Sequence, residues 1–394
     1  MRICVFSERL QRPYDEGIKN FAVHLTRALA QTNDVLALTC GGLTDAEYGI
    51  QNIEVNRLLL SARLSDRIRE FRPQAIIYVP TACGTVFSFA RTRVLHHYGR
   101  TPRQQDADAG AVAHLSGEAA TASRHLLSEV ATASRHLLGE GRRGQPDACT
   151  ALIALQPRRY TALGKFLIHR LAPDWVFAQS RRTSELLRGL GCRTSLFPPA
   201  VDTERFHPAS PAEKVALRER HGIPASARVV THVGHLKSKR NLDRFLAFQA
   251  LPGYHTVVVA STSTLQDEQI KETLRVTGTT VIDTYVPNIE DIYRLSDLYL
   301  FLAERDTAAI EMPLSVLEAM ACNLPVICTP FGGLRDFFAA GDGLFYWDGQ
   351  AKLADLIITA LSRPATTRTL VEPYTWTAAA QTLVRLLQGP QAAG

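Results

Sequence analysis

The stretch EMPLSVLEAMACNLPVICTPFGGLRD, at residues 311–336, constrains the fold more than any other part of the chain. Leu314, Leu317 and Met320 recur at helical spacing, which predicts an amphipathic helix with one buried face. Pro313 suits the first turn of that helix, because a proline there loses no hydrogen bond. The apolar run LPVICT follows directly and is typical of a strand that a parallel sheet buries on both faces. This half-unit predicts an α/β sheet whose helix N-terminus could face an anion.

The same alternation of strand and helix runs along most of the chain and predicts two doubly wound parallel sheets. The strands predicted in the first half are RICVFS, DVLALTC, PQAIIYVP, TRVLHHYG, DWVFAQS and the start of TSLFPPAVDTERFHP. Those predicted in the second half are RVVTHVGH, HTVVVAS, TVIDTYV, DLYLFLA and LPVICT. A Pro-rich linker separates the two sets, and 394 residues are too many for one ordinary core. We therefore predict one domain over residues 1–199, a second over 200–370 and a terminal segment over 371–394.

Composition narrows the range of partners. The chain is 46% hydrophobic and 21% charged, as in ordinary globular proteins. A formal charge of +6, which we expect to be spread along the chain, favours anionic partners such as nucleotide sugars or lipid head groups. The sequence has no long Lys/Arg run, which disfavours a dedicated nucleic-acid binder. It has no CxxC pair and no His/Cys cluster with metal-ligand spacing, so we expect no metal.

Several features predict a cytoplasmic protein. The start, MRICVFSERL, is typical of a strand rather than a signal peptide. No apolar run approaches the roughly 20 residues that cross a bilayer. Cys4, Cys322 and Cys328 lie in or beside apolar runs and are expected to be buried, reduced thiols. Peripheral contact with a membrane surface remains compatible with all of this.

Residues 100–150 depart from the alternating pattern. ATASRHLLSE at residues 120–129 recurs as ATASRHLLGE at 131–140, an offset of 11 residues that is close to three helical turns. One interpretation is a duplicated solvent-covered helix or a partly disordered insertion. The other is an amphipathic patch for an acceptor or an anionic membrane. Its basic residues would be Arg124, His125, Arg135 and His136.

Four places could carry chemistry. Glu318, on the predicted helix, could accept two hydrogen bonds from a ribose diol, although most glutamates are merely solvated. The loop GHLKSKRNLDRF, at 234–245, holds cations that could offset a pyrophosphate, unless it is an ordinary basic loop. His96 and His97 end a predicted strand, where open α/β sheets bind ligands; a buried, satisfied histidine is the alternative. Gly17 could let the backbone approach a phosphate.

Over most of its length the chain resembles the retaining, metal-independent nucleotide-sugar glycosyltransferases of the GT-B architecture. In that architecture two Rossmann-like domains face each other across a cleft. The segments that carry the resemblance are DWVFAQSRRTSELLRGLG, AVDTERFHP, TYVPNIEDIYRLSDLYLFLA, PLSVLEAMACNLPVICTPFGGLRD and YTWTAAAQTLVRLL. The last is similar to the family's terminal helix, which crosses back onto the first domain. The resemblance implies a hexosyltransferase-like enzyme that retains anomeric configuration and needs no cofactor.

The resemblance also implies roles for residues that would bind the donor. Glu318 would hold the ribose hydroxyls, and Arg240, aided by Lys239, would hold the diphosphate. Val286 would place its backbone near the base. The remaining implied donor contacts are His235, where the family often has Arg, and Gly17, which would approach the phosphate from the opposite domain.

Three catalytic residues are implied: His96, which would contact the transferred sugar, Arg240 and Glu311. The family pairs two acids with seven residues between them, whereas Glu311 and Glu318 have six between them and Ile310 occupies the usual acid's place. Either a local bulge restores Glu311, or the backbone amides of residues 312–315 carry the contact. Leu314 and Ser315 would then supply it.

Two functions of different classes remain open. The first is transfer of a sugar from a nucleoside diphosphate donor to a lipid-linked, polysaccharide or small-metabolite hydroxyl. The second is a catalytically silent nucleotide-sugar-binding or partner subunit, which the displaced Glu311 and the repeats motivate. A dinucleotide dehydrogenase is disfavoured because no GxGxxG follows the first strand.

Overall fold

The computed structural model describes residues 1–10, 13–14, 16–40, 50–55, 62–81, 85–98, 148–237, 240–245, 252–263, 265–306 and 308–389. Two sequence predictions lie outside these residues. They are the tandem repeats at 120–140 and the diphosphate contact of Lys239.

The first domain is built on a parallel seven-stranded sheet with the strand order β3-β2-β1-β4-β5-β6-β7. Its strands are β1 (Arg2–Phe6), β2 (Asp34–Thr39), β3 (Gln51–Glu54), β4 (Ala75–Tyr78), β5 (Cys149–Ala154), β6 (Trp175–Ala178) and β7 (Thr194–Leu196). Its helices are α1 (Gly17–Ala30), α2 (Ala62–Phe71), α3 (Val86–Tyr98), α4 (Ala162–Leu171) and α5 (Arg181–Gly189). Central strands such as AIIY in β4 are buried at every position because helices cover both faces. Cys4 of β1 lies opposite Leu36 and Ile76, so the strand order reverses beside β1.

The second domain is built on a parallel six-stranded sheet with the order β10-β9-β8-β11-β12-β13. Its strands are β8 (Arg228–Gly234), β9 (Tyr254–Ala260), β10 (Thr280–Ile282), β11 (Leu298–Phe301), β12 (Val326–Cys328) and β13 (Leu344–Tyr346). Its helices are α6 (Pro211–Arg220), α7 (Glu268–Val276), α8 (Ile289–Leu295), α9 (Leu314–Ala321), α10 (Leu334–Phe337), α11 (Leu353–Leu361), α12 (Thr367–Val371) and α13 (Trp376–Gln388), with a 3₁₀ turn at Leu242–Phe245. The prediction of two doubly wound α/β sheets is confirmed. No helix in the described ranges is long and apolar enough to pass through a membrane.

The terminal helix α13 returns to the first domain, as predicted. Trp376 stacks on His24 of α1 with 5.3 Å between ring centroids, and meets Phe21 edge-on at 5.3 Å. Thr377 Oγ1 donates a hydrogen bond to Gln31 Oε1 over 3.0 Å. Buried aromatic pairs of this kind contribute about 0.5–1.5 kcal/mol beyond the area they bury. They anchor the end of the chain across the two domains.

The strand predicted for TRVLHHYG is wrong, because residues 86–98 form α3. Phe89, Thr92, Leu95 and His96 are buried and recur with helical period. The predicted strand began at Thr92 and so omitted the first turns, VFSFAR, in which the period starts. The strand between β4 and β6 in the sheet is instead β5, whose sequence CTALIA follows the repeat segment.

Candidate functional site

A cavity of about 790 Å³ lies between the two sheets and is lined by both domains. The first domain contributes part of α1 together with Gln156, which follows β5. The second domain contributes the loops after β8, β9, β10 and β11 and the start of α9. The carboxyl ends of parallel strands are where open α/β sheets bind ligands. The volume falls within the range of about 300–1,000 Å³ that is usual for small-molecule sites.

Most of the predicted donor-binding residues meet in this cavity. Those in its wall are Gly17, His235, Arg240, Val286, Leu314, Ser315 and Glu318. They come from four separate segments of the chain, and the two most informative, Glu318 and Arg240, face the same space as predicted.

Glu318 faces the cavity because of its position on α9. Along this helix the half-exposed residues are Ser315 and Glu318, three positions apart on one face, while the others are buried. The hydroxyl of Tyr293 donates a hydrogen bond to Glu318 Oε2 over 2.7 Å. Burial raises the pKa of Glu318 to about 7, against the opposing effect of the Tyr293 hydrogen bond. Ionised, this carboxylate is a fixed acceptor suited to a ligand with neighbouring hydroxyl groups.

Arg240 presents a buried cation to the cavity. It is only 5% exposed, and its guanidinium carbon lies 5.2 Å from the centre of the Phe301 ring. Its Nε has no hydrogen-bond partner within the described parts of the chain. Burial lowers the pKa of Arg240 to about 10, so it stays charged at neutral pH. A buried cation without its complement is unfavourable, and a bound anion would supply that complement.

Gly234 leaves room for this guanidinium at the end of β8. A Cβ on Gly234 would lie 3.3 Å from Arg240 Nη1 and 3.2 Å from His232 Nε2. An alanine there would already require the guanidinium or the imidazole to move by a few tenths of an ångström.

Two helix N-termini also face the cavity. α9 begins after Pro313 and α1 begins after Glu16, and neither of these residues caps its helix with a side-chain hydrogen bond. Pro313, Leu314 and Ser315 line the cavity from one side, and residues 16–18 line it from the other. The first N–H groups of a helix have no partner within the helix and together favour an anion. The cavity thus combines a cation with two sets of backbone donors.

The structure does not bring the carboxylate of Glu311 into the cavity. Glu311 is 2% exposed, and its Oε1 accepts hydrogen bonds of 2.7 Å from both Ser180 Oγ and Thr183 Oγ1 in the first domain. Ile310 lines the cavity instead, and a Cβ on Gly17 would lie 3.6 Å from it. No bulge turns the acid inward, so a catalytic role for Glu311 has no geometric support.

The glycine pair after β12 packs against residue 311 rather than lining the cavity. Gly332 has a φ of +55°, and a Cβ on it would lie 2.1 Å from the carbonyl oxygen of Glu311. The N–H of Gly333 donates to that same oxygen over 2.9 Å. These glycines let the β12–α10 turn approach the domain interface closely.

His96 is not brought to the cavity either. It lies on α3, is 8% exposed, and its Nδ1 is 3.4 Å from Arg93 Nη1. The predicted sugar contact depended on His96 ending a strand at the ligand-binding edge of the sheet. Because the segment is a helix, the histidine lies in the layer that covers the first sheet.

The sequence analysis missed an ion pair in the cavity wall. Arg205 donates from Nε and Nη2 to Glu290 Oε2 over 2.9 and 2.7 Å, and from Nη2 to the carbonyl of Pro287. Arg205 lies within AVDTERFHP, which was predicted only as a connector. The segment also contains Asp202 and Glu204, so charge alone did not distinguish Arg205. The pair fixes the loop that carries Val286.

His24 and Asn20 add a polar wall on the α1 side of the cavity. Burial lowers the pKa of His24 to about 4, so this imidazole is neutral near pH 7. Within the described ranges, no three His, Cys, Asp or Glu side chains are grouped so that they could hold a metal ion.

Comparison with known proteins finds similarity in the second half of the chain. Residues 213–393 match the family model of the glycosyl transferases group 1. The chain is 27% identical over 192 residues to the putative teichuronic acid biosynthesis glycosyltransferase TuaC of Bacillus subtilis, covering 48% of this chain and 46% of that protein. It is 30% identical over 154 residues to a D-inositol 3-phosphate glycosyltransferase of Segniliparus rotundus, covering 36% of this chain and 33% of that protein. The matches thus span about half, or less, of these relatives.

Solved structures resemble the chain over nearly its whole length. The crystal structure of Anabaena Alr3699/HepE in complex with UDP has a TM-score of 0.68 at 15% identity, covering 98% of this chain and all of that one. A glycosyltransferase from Rickettsia africae has a TM-score of 0.69 at 13% identity, covering 100% of this chain and 99% of that one. At such identities the likeness establishes the fold. The chain shares its two-domain GT-B fold with these structures, and residues 213–393, slightly less than half of it, match the model of the glycosyl transferases group 1.

Proposed function

We propose that the protein is a glycosyltransferase that moves a sugar from a nucleoside diphosphate donor to an acceptor hydroxyl, retaining anomeric configuration and using no metal. The observation that carries the proposal is the meeting of Arg240 with Glu318 in one cavity, between two uncapped helix N-termini. A cation, backbone donors and a carboxylate acceptor suit the diphosphate and the ribose diol of one ligand. The structure similar in fold that contains UDP-glucose supports the same class of donor.

The reaction would gain most from the stabilisation of its leaving group. As the glycosidic bond breaks, negative charge grows on the diphosphate oxygen that departs. Arg240 and the N-termini of α1 and α9 are already oriented, so they would bind this developing charge more strongly than the ground state. Glu318, which accepts a hydrogen bond from Tyr293, would hold the ribose of the nucleoside in a fixed position while the bond breaks.

Retention follows if the departing phosphate oxygen accepts the proton of the acceptor hydroxyl. The hydroxyl must then approach from the face on which the diphosphate leaves, so the new bond has the old configuration. Such a route needs no dedicated base from the protein. It agrees with a cavity in which Glu318 is bonded to Tyr293 and Glu290 to Arg205.

One observation favours the alternative of a catalytically silent nucleotide-sugar-binding subunit. Ile310 occupies the position in the cavity wall where the resemblance places an acid, and Glu311 faces away. Such a protein would keep the donor-binding groups and lose turnover.

A two-stage experiment tests these functions. The purified chain is first screened by thermal shift with UDP-, GDP-, ADP- and dTDP-sugars in EDTA, because a ligand of the native state raises the melting temperature. Each donor that binds is then incubated with the protein, and the release of nucleoside diphosphate is followed, with NMR assigning the anomer of any product. We expect binding and at least slow donor hydrolysis. Binding without turnover would support the silent subunit, and no binding by any donor would overturn both functions.

A further inference from the structure

The helix α4 exposes an apolar and basic surface on the first domain. Leu163 is 61% exposed and Phe166 is 55% exposed, three positions apart on the same side of the helix. Gly164, Ile168 and Leu171, on the opposite side, are buried and hold the helix against the sheet. We call this exposed side, together with Arg159 just before the helix, the α4 patch. Its residues, all exposed, are Arg159, Leu163, Lys165, Phe166 and Arg170.

The stretch of sequence that contains this patch is basic. Residues 157–193 contain eight Lys or Arg and two Asp or Glu, so this stretch carries a formal charge of +6, equal to that of the whole chain. Between residues 157 and 173 there is no acidic residue. Residues 57–103 contain nine Lys or Arg and two Asp or Glu, so the positive excess is shared between at least two parts of the chain.

The neighbouring helix α3 also exposes a large apolar side chain. A Cβ on Gly164 of α4 would lie 3.4 Å from the side chain of Val86, so α3 packs directly against α4. Phe87, the next residue of α3, is 49% exposed. Most surfaces show large apolar side chains singly, as with Ile358 on α11, which is 51% exposed. Grouped aromatic and aliphatic side chains indicate a contact surface.

We infer that the α4 patch docks the protein onto an anionic lipid membrane. Interfacial helices insert Phe and Leu at the boundary between head groups and acyl chains, while Lys and Arg around them bind anionic head groups. The patch has both the apolar and the basic side chains, and it lacks acidic residues, which anionic head groups would repel. Aliphatic Leu163 at its centre suits acyl chains better than the stacked bases of a nucleic acid.

The position of the patch relates this contact to the cavity. Gln156 lines the cavity, and Arg158 Nη2 donates to its Oε1 over 3.1 Å just before the patch begins. The patch thus begins three residues after a residue of the cavity wall, and we extend the inference to the acceptor. This step rests on the proposed function, and it would make the acceptor a hydroxyl group carried by a membrane lipid.

Vesicle flotation tests the docking directly and without any activity assay. The full chain is mixed with vesicles of phosphatidylcholine alone or with about 30% phosphatidylglycerol. The variant Leu163→Glu/Phe166→Glu removes the apolar contact, and Arg159→Gln/Lys165→Gln removes two charges. Ile358→Glu is the matched control, because it makes the same kind of change at similar exposure in the other domain. Circular dichroism melts confirm that each variant is folded.

We expect the wild type to float with the anionic vesicles and to bind them at least about ten-fold more tightly than the neutral ones. Both patch variants should lose roughly ten-fold or more in vesicle affinity, and Ile358→Glu should match the wild type. Absence of flotation by the wild type, or equal flotation of patch and control variants, would overturn the inference. So would tighter binding to single-stranded RNA that the vesicles cannot displace. Donor binding is unaffected by any of these outcomes, so the proposed function is tested separately.

Discussion

The carboxylate of Glu311, in the second domain, accepts a 2.7 Å hydrogen bond from the hydroxyl of Ser180, in the first. Ser180 is the N-cap of α5 and accepts a hydrogen bond from the N–H of Thr183, whose own hydroxyl also donates to Glu311. A carboxylate at the N-terminus of a helix is favoured by the helix dipole. The backbone N–H of Glu311 donates to Leu155 of the first domain as well, so this residue joins the two domains.

Removing this side chain should destabilise the protein. Glu311→Ala would leave two hydroxyl groups without their acceptor and open a cavity, so we expect a loss of about 2–4 kcal/mol in the free energy of unfolding. Glu311→Gln keeps an acceptor oxygen and should lose less than half of that. Urea denaturation measures both, with Glu204→Ala at an exposed position as the control. Equal urea midpoints for Glu311→Ala and the wild type would refute the structural role.

The same residue should make stability depend on pH. Burial raises the pKa of Glu311 to about 7, whereas the pKa of an unfolded glutamate is about 4.3. The folded state therefore binds the proton more tightly, and the resulting stability is complete below about pH 4.3 and lost as pH rises through 7. Glu318, whose pKa is also raised to about 7, acts in the same direction.

We expect the wild type to lose roughly 1–3 kcal/mol for each of these groups between about pH 5 and pH 8. Glu311→Gln cannot ionise, so its stability should fall less steeply, with the contribution of Glu318 remaining. Urea denaturation at the two pH values measures the slope. A slope unchanged by Glu311→Gln would show that this carboxylate does not titrate as described.

Donor affinity should also depend on pH, with the opposite sign. If the ionised carboxylate of Glu318 accepts the ribose hydroxyls, affinity should rise with pH as the group loses its proton near pH 7. Between about pH 6 and pH 8 the increase should be about ten-fold. Calorimetric titration of the best donor measures it, and Glu318→Gln should bind weakly with no pH dependence in this range. A wild-type affinity that is flat with pH would remove the diol assignment.

Arg240 should affect stability and binding in opposite directions. Because its buried Nε lacks a partner among the described residues, Arg240→Met should leave the free protein equally or more stable. The same change should weaken donor binding by roughly 100-fold, since a charged hydrogen bond contributes about 1.5–3 kcal/mol. Thermal melting with and without pyrophosphate measures both effects. Arg244→Met, an exposed change in the 3₁₀ turn that follows Arg240, is the control. Pyrophosphate stabilising Arg240→Met as it does the wild type would contradict the assignment.

Local periodicity sufficed for much of this architecture. The run LSVLEAMA predicted α9 and its polar face, and both Ser315 and Glu318 face the cavity. Periodicity gave the wrong element at TRVLHHYG, which was predicted as a strand. Its apolar residues suit a strand, but they belong to a helix that starts six residues earlier. A short apolar run fits either period, so only a longer window could have separated them.

The failures at the site have a different physical cause. The spacing between Glu311 and Glu318 is one residue shorter than the family's spacing between its two acids. The direction in which the side chain of Glu311 then points depends on its contacts with Ser180 and Leu155 in the other domain. The Arg205–Glu290 pair likewise joins residues 85 positions apart. Sequence patterns report on neighbours within a few turns, and these contacts form only after the sheets have assembled.

Gly17 gives the sharpest separation between fold and function. A Cβ on this residue would lie 3.6 Å from Ile310, an ordinary contact distance, so Gly17→Ala fits the free protein. At a helical position this change should stabilise the fold by about 0.4–1 kcal/mol. The added methyl group would occupy the space in which a phosphate oxygen approaches the N-terminus of α1, so donor affinity should fall by about ten-fold.

Gly189→Ala, near the end of α5, is the matched control, because a Cβ there meets nothing within 4 Å. It should gain similar stability with unchanged donor affinity. Equal affinity for the two variants in calorimetric titration would show that the phosphate does not approach α1.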